Sequence, residues 1–401
     1  MEFLEMLKQK GIMPGLDRMR ELTELLGNPQ NKAKNIIHIA GTNGKGSVGT
    51  LLEAVLLETG CSVGRYSSPA VFDYFEIFRK NGKNITKSEY DCLMNKIKAA
   101  AEKMRDLPTA FEAETALAFL YTSDCDYCII ETGMGGREDA TNVIDTAKIA
   151  VITSVSIDHT KFLGNTVSEI AAEKCGIFND KTTVICAENS AEVKEIVKEK
   201  AQRLYFADKA ENIRTENIRT VFDCGDMRNI ELGLLGLYQT ENAAAAVKAL
   251  RILEIEEKHI RSGLKNAVWR GRFDIIRRNP VIIADGAHNK DAFLRLLQSL
   301  REYFPNKKYT FITGVLADKD YTAAAEIFSP YANRVYTVTP NNPRALSAEK
   351  YAAEYKKFGA YAECAEFSGI PEIIEKNEIT VAFGSLSFME RFYKEVSEWI
   401  G

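Results

Sequence analysis

Ile36-Ile37-His38-Ile39-Ala40-Gly41-Thr42-Asn43-Gly44-Lys45-Gly46-Ser47-Val48 is the run that decides how this 401-residue chain folds. An apolar segment of strand character enters a glycine-rich turn holding one lysine and one serine. An apolar stretch of helical period follows, from Val48 to Thr59. Glycines let successive backbone N–H groups turn into one concavity, and a helix start adds the positive end of its dipole. Lys45 can then reach outer phosphates, and Ser47 a metal ion. The spacing departs from G-x-x-x-x-G-K-[ST]: five residues before Gly44 stands Ile39, and Gly46 separates Lys45 from Ser47. The run reads as a phosphate cradle of variant spacing, although alone it would also suit a plain strand-to-helix turn.

Outward from this run the same alternation continues. Strands are expected at Asn35–Ala40, Tyr127–Glu131, Ile149–Val155 and Thr183–Ala187. Helices are expected at Val48–Thr59, Ser88–Arg105, Glu112–Tyr121 and Val167–Cys175. Such alternation predicts an α/β fold with a parallel sheet covered on both faces, and ligands collect at the carboxyl ends of its strands. Residues 188–234 read as mixed, and Asn242–Leu253 is an alanine-rich helix. A second alternating series has strands at Val281–Asp285, Tyr309–Gly314, Arg334–Thr339 and Ile379–Phe383. Val268-Trp269-Arg270-Gly271-Arg272-Phe273 breaks both periods. The expected organisation is therefore a domain over 1–267 that carries the phosphate cradle, a linker over 268–278 and a smaller Rossmann-like α/β domain over 279–401.

Composition narrows the function classes. Hydrophobic content of 45%, charged content of 27% and a net charge of −4 describe an ordinary globular protein and give no support to nucleic-acid binding. Met1–Arg20 is studded with charge and lacks a signal-type apolar core, and no run approaches the roughly 18–20 apolar residues that span a bilayer. A cytoplasmic location, with no membrane or nucleic-acid partner, is the expectation. Cys125-Asp126-Tyr127-Cys128 is the only C-x-x-C among eight cysteines. No second pair follows at zinc spacing, so reduced, buried thiols are expected.

Chemistry-bearing residues cluster at strand ends. Glu131 ends an apolar strand and is followed by Thr132-Gly133-Met134-Gly135-Gly136-Arg137, a setting that suits Mg²⁺ held against phosphates as well as it suits a turn cap. Of the four histidines, His159 and His288 follow apolar strands. His38 lies inside the first strand, where a structural role is expected, and His259 falls in a charged, solvent-facing helix. Lys174 ends an apolar helix fifteen residues after His159, a place usually taken by a solvated charge.

Taken together, these segments resemble the folylpolyglutamate synthase and dihydrofolate synthase branch of the Mur ligase superfamily. The resemblance runs nearly end to end. It covers Gly15-Leu16-Asp17-Arg18-Met19, Leu26-Gly27-Asn28-Pro29-Gln30, the phosphate loop and Ser67-Ser68-Pro69. It continues through Glu131 to Asn142, Asp158 to Gly164 and Glu173-Lys174-Cys175-Gly176-Ile177. In the second half it includes Gly271-Arg272-Phe273, Asp285-Gly286-Ala287-His288-Asn289, Leu316 to Asp320 and Gly384-Ser385-Leu386. Each motif is weak alone; their order and spacing are specific.

The resemblance implies an ATP-dependent ligase that joins L-glutamate to the carboxylate of dihydropteroate or a reduced folate through an acyl phosphate. The alternative within the superfamily is an amino-acid ligase with another carboxylate acceptor, and outside it a nucleotide-binding regulatory module without turnover. By position, Ser47, Ser68, Glu131 and His159 fall on magnesium, with two metal sites expected. Lys174 falls on a carbamylated lysine near the second metal, where a bare ammonium would be repelled. Gly41, Thr42, Asn43, Gly44, Lys45, Gly46 and Ser47 fall on the ATP phosphates, Asn242 near the base, Arg272 on phosphate and Asp285 on the ribose. His288 and Ser385 match the glutamate side. Lys45, Glu131, His159 and Lys174 form the expected catalytic set, and a monomer is typical of the family. The chain departs from the pattern at Gly236-Leu237-Tyr238-Gln239, where histidine is usual in place of Tyr238. It departs again at Ala70-Val71 and Ile77-Phe78, where the family arginine is absent and Arg79 and Arg65 stand nearby as replacements.

Overall fold

The apolar runs form the strands of the computed structural model, which describes residues 2–216 and 218–400. In chain order the first eight strands are β1 (Asn35–Ala40), β2 (Val63–Tyr66), β3 (Phe78–Lys80), β4 (Lys83–Asn84), β5 (Tyr127–Glu131), β6 (Ala147–Ile152), β7 (Thr183–Cys186) and β8 (Arg203–Phe206). They make one sheet in the order β4-β3-β2-β5-β1-β6-β7-β8. All pairings from β2 to β8 are parallel, while β3 and β4 run antiparallel at one edge. β1 lies between β5 and β6, so the loop leaving β1 is flanked by the carboxyl ends of both neighbours. Every residue of β1 after Asn35 is buried, as expected for a parallel strand covered on both faces.

β9 (Ala210–Thr215), β10 (Thr220–Cys224) and β11 (Met227–Leu232) form a small sheet in the order β11-β10-β9. The last six strands are β12 (Asp274–Arg278), β13 (Val281–Asp285), β14 (Tyr309–Gly314), β15 (Ala332–Thr337), β16 (Ala362–Cys364) and β17 (Ile379–Gly384). They form a sheet in the order β12-β13-β17-β14-β15-β16, parallel except for β12. Its core is aromatic: Phe293, Phe311, Phe328 and Phe383 pack with ring centroids 4.4–5.9 Å apart.

The chain divides into two compact units. One holds 1–211, 222–231 and 241–267, and the other holds 212–221, 232–240 and 268–401. The stretch 268–278, expected to be a linker, contains β12, so the connecting segment is shorter than expected. Asp274–Arg278 pairs antiparallel with β13 and is an edge strand of the second sheet. The strand expected over 149–155 instead spans Ala147–Ile152, because Thr153 to Ser156 leave the sheet to bond the phosphate loop. β15 likewise begins and ends two residues before the expected 334–339.

Candidate active site

The phosphate loop gets its shape from the chain that follows β6. The N–H groups of Thr42 and Asn43 both donate to the Ser154 carbonyl (2.7 and 3.4 Å), and the Thr153 hydroxyl donates to the Asn43 carbonyl (2.8 Å). These N–H groups therefore fix the loop. The helix Lys45–Glu58 starts directly after Gly44, and the first-turn N–H groups of a helix lack partners within it. Gly44 has φ +90°, and a Cβ there would lie 2.3 Å from Asn242 Oδ1, so Asn242 rests against the loop.

Three predicted residues converge here. The Gly41 carbonyl accepts from both Lys45 Nζ (3.2 Å) and Lys174 Nζ (2.8 Å). Lys45 Nζ also lies 3.8 Å from Glu131 Oε1, at the carboxyl end of β5. Lys174, which the sequence suggests is a solvated helix-end charge, is only 3% exposed. The glycine loop after Glu131 meets the last turn of the helix Val167–Lys174 backbone to backbone: the Arg137 N–H donates to the Glu173 carbonyl at 2.9 Å. A Cβ on Gly136 would lie 2.6 Å from the Lys174 carbonyl oxygen, so only glycine permits that contact. Desolvation, with help from the Lys45 charge, pushes the Lys174 amine down to about 7.

A buried chain supports the glycine loop after Glu131, and it gives His38 the structural role expected of it. Asp139 accepts from the Met134 N–H (2.8 Å) on one oxygen, and from the Thr141 N–H (3.0 Å) and hydroxyl (2.6 Å) on the other. His38 Nε2 lies 2.8 Å from Thr141 Oγ1. Since that hydroxyl donates its only hydrogen to Asp139, the imidazole must donate from Nε2. Burial alone lowers His38 to about 3, so the ring is neutral. The Asp-x-Thr turn was the available signal; its long-range partner on β1 was not.

The remaining predicted metal ligands are less closely gathered. His159 is exposed, takes φ +50° and heads the short helix Thr160–Leu163. Ser68 is half-buried in the loop after β2, and Ser47 is buried in the first turn of its helix. Among the described residues no three of His, Cys, Asp and Glu converge to ligate a metal ion. Mg²⁺ needs no such cage: it is held by one or two carboxylates, water and substrate phosphates, and the Glu131 carboxylate and the Ser47 hydroxyl are hard oxygen donors of the kind it takes. The two arginines near the altered loop are engaged elsewhere. Arg65 and Arg79 both pair with Glu53 of the helix Lys45–Glu58 at 3.1 Å. Glu76 folds that loop by accepting from the Val71 and Phe72 N–H groups.

In the second unit, Asp285 and Ser385 stand at the carboxyl ends of the adjacent parallel strands β13 and β17. Asp285 accepts from Tyr238 Oη (2.6 Å), the Phe273 N–H (2.8 Å) and the Ala287 N–H (2.8 Å). Tyr238, in the place where histidine was expected, is thus bonded to a predicted site residue. His288 Nδ1 contacts the Gly286 carbonyl at 2.7 Å, and Ser385 caps the helix Leu386–Ile400 through the Phe388 N–H at 3.3 Å. His259 is half-buried rather than solvent-facing, and Cys125 and Cys128 are buried free thiols.

Comparison with known proteins extends this picture. The Mur ligase middle domain matches residues 39–250, and the Mur ligase glutamate ligase domain matches residues 271–384. A dihydrofolate synthase/folylpolyglutamate synthase of Bacillus subtilis is 32% identical, over 96% of this chain and 96% of that protein. The chain belongs to the folylpolyglutamate and dihydrofolate synthase family of Mur ligases. Its fold agrees with solved members. Mycobacterium tuberculosis folylpolyglutamate synthase, complexed with ADP and AMPPCP, superposes with a TM-score of 0.90 at 27% identity, covering 98% of this chain and 97% of that one. The bifunctional folylpolyglutamate synthase/dihydrofolate synthase of Yersinia pestis, complexed with AMPPNP and a manganese ion, gives 0.86 at 28% identity over 98% and 96%. No helix among the described residues is long and apolar enough to cross a membrane.

Proposed function

We propose that this chain joins L-glutamate to the carboxylate of dihydropteroate or of a reduced folate, at the expense of ATP. The acceptor carboxylate attacks the γ-phosphorus, the bond to the β-phosphate oxygen breaks, and an acyl phosphate and ADP result. The glutamate amine then attacks the acyl carbon, loses a proton and expels phosphate, leaving an amide. This sequence brings anions together, so the protein must supply positive charge and position. The convergence of Lys45, Glu131 and Lys174 on the loop that leaves β1 carries this reading.

The N–H groups of the first helical turn and Lys45 hold the phosphates. Glu131 and Ser47, with Ser68 and His159, are the residues that would hold Mg²⁺, which when bound neutralises phosphate charge. On the family resemblance we assign Asn242, Arg272 and Asp285 to the nucleotide, and His288 and Ser385 to glutamate. Lys174 is assigned as a carbamate: an amine held at about 7 is half unprotonated at neutral pH, and the free amine can add CO₂ with loss of one proton. A soluble monomer acting on small molecules in the cytoplasm is the accompanying expectation.

The test is ADP release with Mg²⁺, ATP and L-glutamate, run with 7,8-dihydropteroate in one lane and tetrahydrofolate in the other. Glutamate-dependent release is expected in at least one lane, and the pattern separates the two activities. Silence in both lanes would overturn the folate assignment in favour of another acceptor.

A further inference from the structure

The loop carrying Arg272 is held in a strained shape by groups on either side of it. Phe273 takes φ +48°, a region that bulky residues avoid, so its surroundings must impose it. Its ring is fully buried and lies 5.0 Å from that of Tyr303, and its N–H is held by Asp285. On the other side of Arg272, the Gly271 N–H donates to Tyr393 Oη at 3.0 Å, and the Gly271 carbonyl accepts from the Gly286 N–H at 2.9 Å. Tyr393 Oη in turn donates to Asp274 Oδ2, so one hydroxyl bonds the loop at two points, before and after Arg272. The Arg270 guanidinium lies over the same ring, 4.7 Å from its centroid. Tyr393 belongs to the helix Leu386–Ile400, is 4% exposed, and lies 120 residues beyond Phe273 in the sequence.

We propose that Tyr393 is a positioning residue for Arg272, fixing through Gly271 and Asp274 the loop geometry in which the guanidinium meets the nucleotide. The inference rests on the assignment of Arg272 to ATP phosphate made above. Tyr393→Phe keeps the ring beneath Arg270 and the packing of its helix, and removes only the hydroxyl that latches the loop. Asp274→Ala breaks the same latch from the loop side, and serves in its place if Tyr393→Phe gives no cooperative melt.

The experiment is titration calorimetry of ATP with Mg²⁺ and no acceptor, on wild type, Arg272→Ala, Tyr393→Phe, Asp274→Ala and the Arg272→Ala/Tyr393→Phe double variant. Arg272→Ala is expected to weaken ATP at least about tenfold. Tyr393→Phe and Asp274→Ala are each expected to weaken it roughly three- to tenfold, the size of one lost hydrogen bond. In the Arg272→Ala background Tyr393→Phe should add nothing, because its effect runs through that arginine. An equal loss in both backgrounds, or no loss from either latch variant, would overturn the inference while leaving Arg272 on ATP. No loss from Arg272→Ala would overturn the arginine's assignment and the inference with it.

Discussion

Replacing Lys174 with methionine should make the ligand-free protein more stable while abolishing ligation. The amine is buried, and its affinity for a proton falls from the ordinary 10.5 to about 7. Below pH 7 both folded and unfolded chains carry the ammonium, and the folded one bears the full desolvation cost. At 1.36 kcal/mol for each pH unit between those values, that cost is about 5 kcal/mol. As pH rises through 7 the folded amine gives up its proton and the cost shrinks, vanishing above 10.5. Methionine removes the cost at every pH but gives up the bond to the Gly41 carbonyl, worth about 1 kcal/mol, and Lys45 still bonds that oxygen. The variant should therefore exceed wild type by several kcal/mol at pH 6, and the gap should narrow by about 3 kcal/mol at pH 9. Urea unfolding in CO₂-depleted buffer at both pH values measures it. An identical gap at pH 6 and pH 9 would refute the reasoning.

Lys45→Ala should lower the rate of ADP release at least about a hundredfold with an unchanged melting temperature, since its partners are the Gly41 carbonyl and Glu131 at the loop and not the core. Gly136→Ala should destabilise by roughly 1–3 kcal/mol, seen in a thermal melt, because the new methyl meets the backbone of Glu173 and Lys174. Tyr238→Phe should cost about 1–3 kcal/mol in urea, because it leaves buried Asp285 short of one of its three donors.

The strands flanked by glycine or turn signals were legible as written: β1, β13 and β14 fall on the expected residues. β2 was not, because Gly64 and Arg65 interrupt its apolar run, and buried Arg65 is accommodated there by Glu53 and Thr50 of the preceding helix. β12 reads as linker in the sequence because Asp274-Ile275-Ile276-Arg277-Arg278 is short and charged at both ends, as suits an edge strand. Around the candidate site, local patterns identified Lys45 and Glu131. What local patterns could not supply were contacts made across the sheet. These bury Lys174 beneath Gly136, tie Asp139 to His38, and spend the Thr42 and Asn43 N–H groups on Ser154.

His38 gives the loop after Glu131 a floor that is blind to physiological acidity. Its ring stays neutral down to about pH 3, so the Nε2–H that steadies Thr141, and through it Asp139, is the same at pH 6 and at pH 9. The unfolded imidazole takes up a proton near 6.5, and the folded one does not. Acidification from 6.5 towards 3 therefore draws the chain toward the unfolded state. The loop's shape is kept constant in working conditions by a group that turns into a point of acid weakness outside them.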